Sequence, residues 1–274
     1  MKGYVTIEQW GQYVRLVFHK SRQASPRDQP PSWITQKEGI DDEGDFWVQK
    51  WEAEELAEFK KEESERCAIV RARSRVRELA FCNDWQYFFT GTLDGSKIDR
   101  YDLKGYIKRL GEWISNYNRK YSVNLRYLLV PEQHKDGAFH IHGLLNGVDP
   151  RSLVRNDNGY YEIAEYRKRF GFMSLSPVKD HSKVCSYVTK YITKEQGKTM
   201  IEFNKHRYYA SRNLQKSVKH GGYWCDENGF RALGGFENEW CIVHMNKIEG
   251  DVQTFVRMLE ENGKIEGGYY DYER

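Results

Sequence analysis

The chain has 274 residues, with 43 Lys and Arg against 40 Asp and Glu, a net charge of +3 and five cysteines. No apolar run approaches the length of a membrane-spanning helix, and no signal-peptide core follows Met1-Lys2-Gly3-Tyr4, so no membrane role is expected. The cysteines Cys67, Cys82, Cys185, Cys225 and Cys241 form no CxxC pair, which argues against a disulfide framework or zinc ribbon and for a reducing, cytoplasmic setting.

The even balance of charge hides a segregation. Residues 81–220 hold 24 basic against 14 acidic side chains, whereas residues 221–274 hold 5 against 11. The basic middle is suited to phosphate partners, which such a surface attracts by releasing their counterions.

In chain order, residues 4–18 alternate in the strand manner, and residues 21–45, rich in Pro, Ser, Gln and Asp, read as a loop. Residues 51–80 read as a long charged helix. Its acidic start (Glu52, Glu54, Glu55, Glu58) and arginine-rich end (Arg66, Arg71, Arg73, Arg75, Arg77) complement the helix dipole and bring arginines to the basic region, within reach of a nucleic-acid backbone. Trp85 to Leu93 is a strand rich in aromatic and β-branched residues. Asp99 or Asp102 is placed to cap a helix with the apolar stripe Leu103, Tyr106, Ile107, Leu110, Ile114 and Tyr117. Leu125 to Val130 is a buried strand ending at Pro131; the turn His134-Lys135-Asp136-Gly137 joins it to Phe139-His140-Ile141-His142-Gly143-Leu144-Leu145 as a hairpin. Phe172 to Leu175 is a short strand, followed by a helix carrying Tyr187-Val188-Thr189-Lys190-Tyr191-Ile192-Thr193-Lys194. The order strand, helix, hairpin, strand, helix predicts an α+β fold, a central antiparallel sheet with helices packed on one face. Three segments are expected: 1–80 (strands, loop and long helix), 81–215 (the domain with the motifs) and 216–274, whose glycines and aromatics suggest packed structure of unassigned role.

Two of these segments carry chemistry. On a strand, His140 and His142 project from one face while Phe139 and Ile141 go to the core. Glu132, just beyond the preceding strand, faces them across the hairpin as a third metal ligand, with His134 as a competitor. Two imidazoles and one carboxylate suit Mn2+ by ligand type and leave positions for a phosphate oxygen and water; Mg2+ is the more abundant alternative. On a helix, Tyr187 and Tyr191 share a face, and Lys190 and Lys194 each follow a tyrosine by three residues. A phenol ionises near pH 10, so it serves as a nucleophile only when steered, and a metal on the attacked phosphate lowers the demand.

The joint pattern resembles the HUH endonuclease superfamily, in particular the replication-associated (Rep) proteins that start rolling-circle replication of phages and plasmids. Phe88-Phe89-Thr90-Gly91-Thr92-Leu93-Asp94 is similar to the family's first motif, with Gly91 where many relatives have a larger apolar residue. Residues 131–142 are similar to the metal motif, and residues 187–194 to the tyrosine motif in its two-tyrosine form. Arg207-Tyr208-Tyr209-Ala210-Ser211-Arg212-Asn213-Leu214 is also similar to phage and plasmid members, and the resemblance spans about residues 65–215.

The resemblance implies an HUH/RRM-like Rep nuclease fold and a metal-dependent single-strand endonuclease and strand transferase. It implies Tyr191 and Tyr187 as nucleophiles aided by Lys190 and Lys194. Glu132, His140 and His142 would be the ligands of a divalent cation, and Thr90, Thr92, Arg207 and Arg212 would meet DNA. Implied partners are single-stranded or hairpin origin DNA and a bacterial host's helicase and polymerase; no GxxxxGK[ST] loop occurs in the sequence to supply a helicase motor. Two other readings stand beside this one. A single-strand transposase or relaxase would share the chemistry. A non-catalytic nucleic-acid-binding module would use exposed aromatics such as Tyr87 and Phe89.

Overall fold

A computed structural model describes residues 2–20, 39, 40, 46, 47, 50–156, 158–193, 206–238 and 240–266. Most of the expected loop at 21–45 lies outside these residues, as do the side chains of Glu52, Glu54 and Glu55. In chain order the elements are β1 (Lys2–Trp10), β2 (Tyr13–His19), β3 (Gly39–Ile40), β4 (Phe46–Trp47), α1 (Lys50–Phe81), β5 (Tyr87–Leu93), α2 (Leu103–Tyr121), β6 (Arg126–Gln133), β7 (Phe139–Asn146), β8 (Leu153–Arg155), β9 (Tyr161–Ile163), α3 (Ala164–Arg169), β10 (Gly171–Pro177), α4 (His181–Val188), α5 (Lys190–Thr193), β11 (Tyr209–Ala210), β12 (Val218–Asp226), α6 (Glu227–Arg231), β13 (Phe236–Glu237), β14 (Cys241–Lys247) and α7 (Val252–Glu261). The fold is α+β, with two large antiparallel sheets. Among the described residues no helix is long and apolar enough to cross a membrane, and all five cysteines are free thiols.

The chain divides into two compact units. One comprises residues 1–8, 14–68 and 219–274. Its sheet, in the order β12-β1-β2-β14-β13, joins both ends of the sequence. Val5, Ile7, Leu16 and Phe18 pack there with Tyr223, Phe230, Ile242, Val256 and Leu259. Residues 216–274 therefore contribute strands and a core-forming helix, α7, to the unit that the N-terminal strands begin.

The other unit, residues 9–13 and 69–218, contains the seven-stranded sheet β11-β6-β7-β5-β10-β9-β8. Its main core lies between one sheet face and helices α2 and α3: Phe89, Ile141, Leu145 and Met173 meet Tyr106, Leu110, Trp113, Tyr117, Tyr166 and Phe170. The α2 stripe is as read from periodicity, with Trp113 added and Ile107 only half-buried. Asp102 supplies the cap, accepting from the Gly105 amide at 2.9 Å, while Asp99 accepts from Tyr101 N in the preceding turn. The β6–β7 hairpin turns at His134–Gly137, where Gly137 takes φ +86° and donates its amide to His134 O.

One boundary differs from expectation. The strand does not end at Pro131: β6 runs on through Glu132 to Gln133, and Pro131 pairs in register with Ile141. The other neighbour of β6, β11, pairs only with Leu128 and Leu129. Among the described residues Pro131 thus sits on a sheet edge, where a missing amide proton costs no ladder bond.

Candidate active site

β5, β6 and β7 place the site by alternation. Tyr87, Phe89, Gly91 and Leu93 turn toward the core, which leaves Phe88, Thr90 and Thr92 on the opposite face. Phe89 is buried against Tyr166, and Tyr87 packs on Tyr161. The exposed aromatic platform that a non-catalytic binding module would need from these two residues is absent. Gly91 has a steric reason: a Cβ there would stand 2.5 Å from the Tyr166 hydroxyl and 2.6 Å from the Phe89 ring.

The register brings the polar residues of this face together. His140 pairs with Thr92 on one side and Glu132 on the other, and His142 pairs with Thr90 and Val130. The Thr90 hydroxyl lies 3.3 Å from His142 Nδ1, and the Thr92 hydroxyl 3.4 Å from His140 Nδ1. Glu132 Oε2 lies 2.8 Å from His142 Nε2. Each imidazole is thus gripped on its Nδ1 side by a threonine, which orients Nε2. Thr90 and Thr92, expected at DNA, are placed to position the histidines. Phe88, for which the motif suggests no role, lies between β5 and the tyrosines. Its signal is the alternation that puts it with Thr90.

His134, the competing ligand, stacks on His140 with ring centroids 3.7 Å apart. Burial, then His134, then His142 lower the pKa of His140 below the usual imidazole value. The ring is thereby kept neutral, the form that ligates metals.

The tyrosines lie against the same face. Asp180 caps α4 by accepting from Lys183 N at 3.0 Å, and Cys185 and Val188 bury its inner side. The expected single helix is interrupted at Thr189, whose angles stay in the right-handed helical region, so α5 continues the turn and Tyr187 and Tyr191 keep a common face. Tyr191 stacks on His142 at 3.8 Å and 14° and donates its hydroxyl to Tyr187 Oη at 2.8 Å. Phe88 meets the Tyr187 ring edge-on at 5.4 Å and lies 6.2 Å from both Tyr191 and His142.

The two tyrosines differ in exposure. Tyr187 is 43% exposed and Tyr191 only 5%. Burial first, then Tyr187 and Glu132, push the Tyr191 pKa above the ordinary phenol value, so it stands protonated. The Lys190 ammonium lies 5.1 Å above the Tyr187 ring. Lys194 lies outside the described residues. Arg207 and Arg212 line a separate cavity at the β11 edge.

Among the described residues no three His, Cys, Asp or Glu side chains converge in an arrangement that holds a metal ion. Glu132, His140 and His142 nevertheless share one face in adjacent register, and the Glu132–His142 hydrogen bond joins the very atoms that would ligate. Two imidazole nitrogens and one carboxylate fit a divalent cation by donor type.

Residues 86–196 match the family model of the replication-associated protein ORF2. This segment runs from the start of β5 through α5 and contains the histidine pair, Glu132 and both tyrosines. The match supports a replication-associated protein of the Rep type and, with it, DNA as a partner. No curated protein matches the chain, and no solved structure does.

Proposed function

We propose that this chain is a replication initiator that cuts one DNA strand at an origin and keeps the new 5′ end as a tyrosine ester. One observation carries the reading. Within the segment similar to replication-associated proteins, Tyr191 stacks on His142 while Glu132 holds the other edge of that imidazole. A tyrosine, a carboxylate and an imidazole pair lie on one sheet face.

Glu132, His140 and His142 would hold one divalent cation, Mg2+ or Mn2+, which when bound supplies Lewis-acid polarisation of the scissile phosphate. The chain's own residues do the rest. Thr90 and Thr92 hold the imidazoles, and Phe88 holds the tyrosines over them. The Tyr191 phenolic oxygen attacks phosphorus, the bond from phosphorus to the 3′ oxygen breaks, and the 3′ oxygen takes a proton from solvent. The phenolic proton leaves through Tyr187 Oη, the atom to which it already points. The products are a 5′-phosphotyrosine and a 3′ hydroxyl that primes synthesis. Lys190 steadies negative charge at Tyr187, and Lys194 is assigned the same role for Tyr191 by the repeated Tyr-x-x-Lys spacing.

Tyr191 makes the first cut because it lies nearest the histidine–carboxylate cluster. The more exposed Tyr187 then cuts the displaced strand, whose released 3′ hydroxyl attacks the first ester and rejoins the ends. The ester conserves the phosphodiester bond energy, so rejoining needs no ATP. Single-stranded or hairpin origin DNA is the substrate, and a bacterial host's helicase and polymerase extend the primer in the cytoplasm.

The test is a denaturing gel of protein with labelled origin oligonucleotides and Mn2+ or Mg2+, followed by peptide mapping of the trapped adduct. DNA is expected on Tyr191 first. Adduct on Tyr187 alone reverses the assignment, and adduct on neither tyrosine ends the mechanism.

A further inference from the structure

On the site face, residues in register on β6, β7, β5 and β10 form rows across the sheet. The first row is Leu128, Leu144, Phe88 and Ser176. Tyr187 stands edge-on over it, at Phe88. The second is Val130, His142, Thr90 and Ser174, and Tyr191 lies on its His142. Both rows are closed on β6 and β7, where Leu128, Leu144, Val130 and His142 are buried. The third row is Glu132, His140, Thr92 and Phe172. It is open along its length. Glu132 and Thr92 are half-buried, His140 remains so beneath His134, and Phe172 is 38% exposed.

Phe172 ends this row. Among the described residues β9 pairs with β10 only at Leu175, so beside Phe172 the sheet has an edge. The core takes Met173 and Leu175 from β10, while Phe172, Ser174 and Ser176 face the site. Phe88, on the same face, is packed by Tyr187, Tyr191 and His142. Among the described residues no ring and no cation packs on Phe172. A lone exposed apolar side chain is ordinary on a protein surface. This one shares a row with two of the expected ion ligands, two strand spacings or about 10 Å from His140. A phosphate held at Glu132 and His140 brings a base of its own strand within that span. Every base has a π face, so a free aromatic ring at that distance can stack on it whatever its sequence.

We propose that Phe172 stacks on the base of the nucleotide beside the phosphate held at Glu132, His140 and His142, and so positions the strand under Tyr191. The proposal rests on the nicking reading above. It adds a contact to a base, where that reading names contacts only to the phosphate.

The experiment uses the full chain carrying Tyr187→Phe and Tyr191→Phe, which binds without cutting. Fluorescence anisotropy follows two labelled probes of equal length with Mg2+: oligothymidylate, and an oligomer of abasic deoxyribose phosphates. Low salt lets backbone contacts hold both probes. Phe172→Ala should weaken oligothymidylate binding about tenfold and leave the abasic probe nearly unchanged. Phe172→Trp should restore oligothymidylate binding, because it restores a π face. Phe236→Ala removes a phenylalanine that is 63% exposed, and as the control it should change neither. Equal losses on both probes would mean that Phe172 serves the fold alone, and no loss on either would mean that no base stacks there; each overturns the proposal. If Phe172→Ala does not fold by circular dichroism, Phe172→Leu takes its place, since it keeps apolar bulk without a π face and should lose oligothymidylate alone. Failure of the parent to bind either probe would remove the nicking reading as well. Normal binding of oligothymidylate by the parent, unchanged in the Phe172 variant, removes the stacking contact alone.

Discussion

The two faces of the seven-stranded sheet are built from the same strands and differ in every second residue. On the core face Phe89, Gly91, Ile141 and Leu145 meet α2 and α3, and several hydroxyls there bond to one another. The Tyr106 and Tyr166 hydroxyls lie 3.0 Å apart, both fully buried. Tyr117 Oη lies 2.7 Å from Ser152 Oγ. On the site face the polar atoms form open chains: threonine to histidine to carboxylate, and tyrosine to tyrosine. Closed pairs hold a core together and offer nothing to a ligand. Open chains end in atoms that can exchange partners. Substitutions on the core face should therefore move stability, and those on the site face should move activity.

The largest effect is expected from the nucleophiles. Tyr187→Phe/Tyr191→Phe removes only two hydroxyls and should abolish the covalent adduct, a fall on the order of a thousandfold or more in nicking, with the thermal midpoint nearly unchanged. Tyr191→Phe alone should lose the initiating adduct. Tyr187→Phe should still nick but fail to transfer the strand, as seen on a gel that resolves nicked from rejoined products.

His140→Ala, His142→Ala or treatment with EDTA should reduce nicking at least about a hundredfold, and added Mn2+ should restore only the EDTA-treated wild type. Full activity in EDTA would sink the metal reading. Thr90→Val keeps the shape of the threonine and frees His142 Nδ1, so a loss of about tenfold is expected, seen as a weaker apparent affinity for Mn2+.

On the core face, Gly91→Ala drives a methyl into the Tyr166 hydroxyl and the Phe89 ring, and should cost about 1–3 kcal/mol in urea unfolding. Removing the colliding hydroxyl with Tyr166→Phe should make the same change less costly. A full penalty in both backgrounds would place the strain elsewhere. The nicking rate of the folded fraction should be unchanged.

The smallest effect lies at the end of β5, where the faces meet. The Ser96 hydroxyl and amide, then Lys97, depress the Asp94 carboxyl to about 2. A depressed carboxylate contributes stability above its unfolded value near 3.8 and loses it as pH falls through about 2. Asp94→Asn should flatten the acid limb of the stability curve slightly, and a carbon-13 titration of the Asp94 carboxyl should find its midpoint well below that of a free aspartate.

The local elements of the site are legible in the sequence because each rests on a short-range pattern. His-x-His on a strand and Tyr-x-x-x-Tyr on a helix need only the periods 2 and 3.6 to set their faces. The α2 stripe is legible for the same reason. Other features are not. The motif alone assigns Thr90 and Thr92 to DNA, since nothing local says that β5 lies beside β7 in the register that puts both hydroxyls on histidines. Pro131 reads as a strand end because local chemistry cannot tell an edge from a centre; the two-residue β11 makes that position an edge. Residues 216–274 stand apart in the sequence because their partners, β1 and β2, lie some two hundred residues away.

By itself the sequence determined the inventory: which residues can ligate, attack or bind phosphate, and which of them share a face within one element. Those properties follow from side-chain chemistry and backbone period. Only the tertiary structure decided which faces meet. The stacking of Tyr191 on His142, the unequal exposure of the two tyrosines and the pairing of Phe172 with Thr92 all depend on strand pairing and helix docking across long stretches of chain. Such contacts are selected by the free energy of the whole packed unit, which no local window of sequence contains.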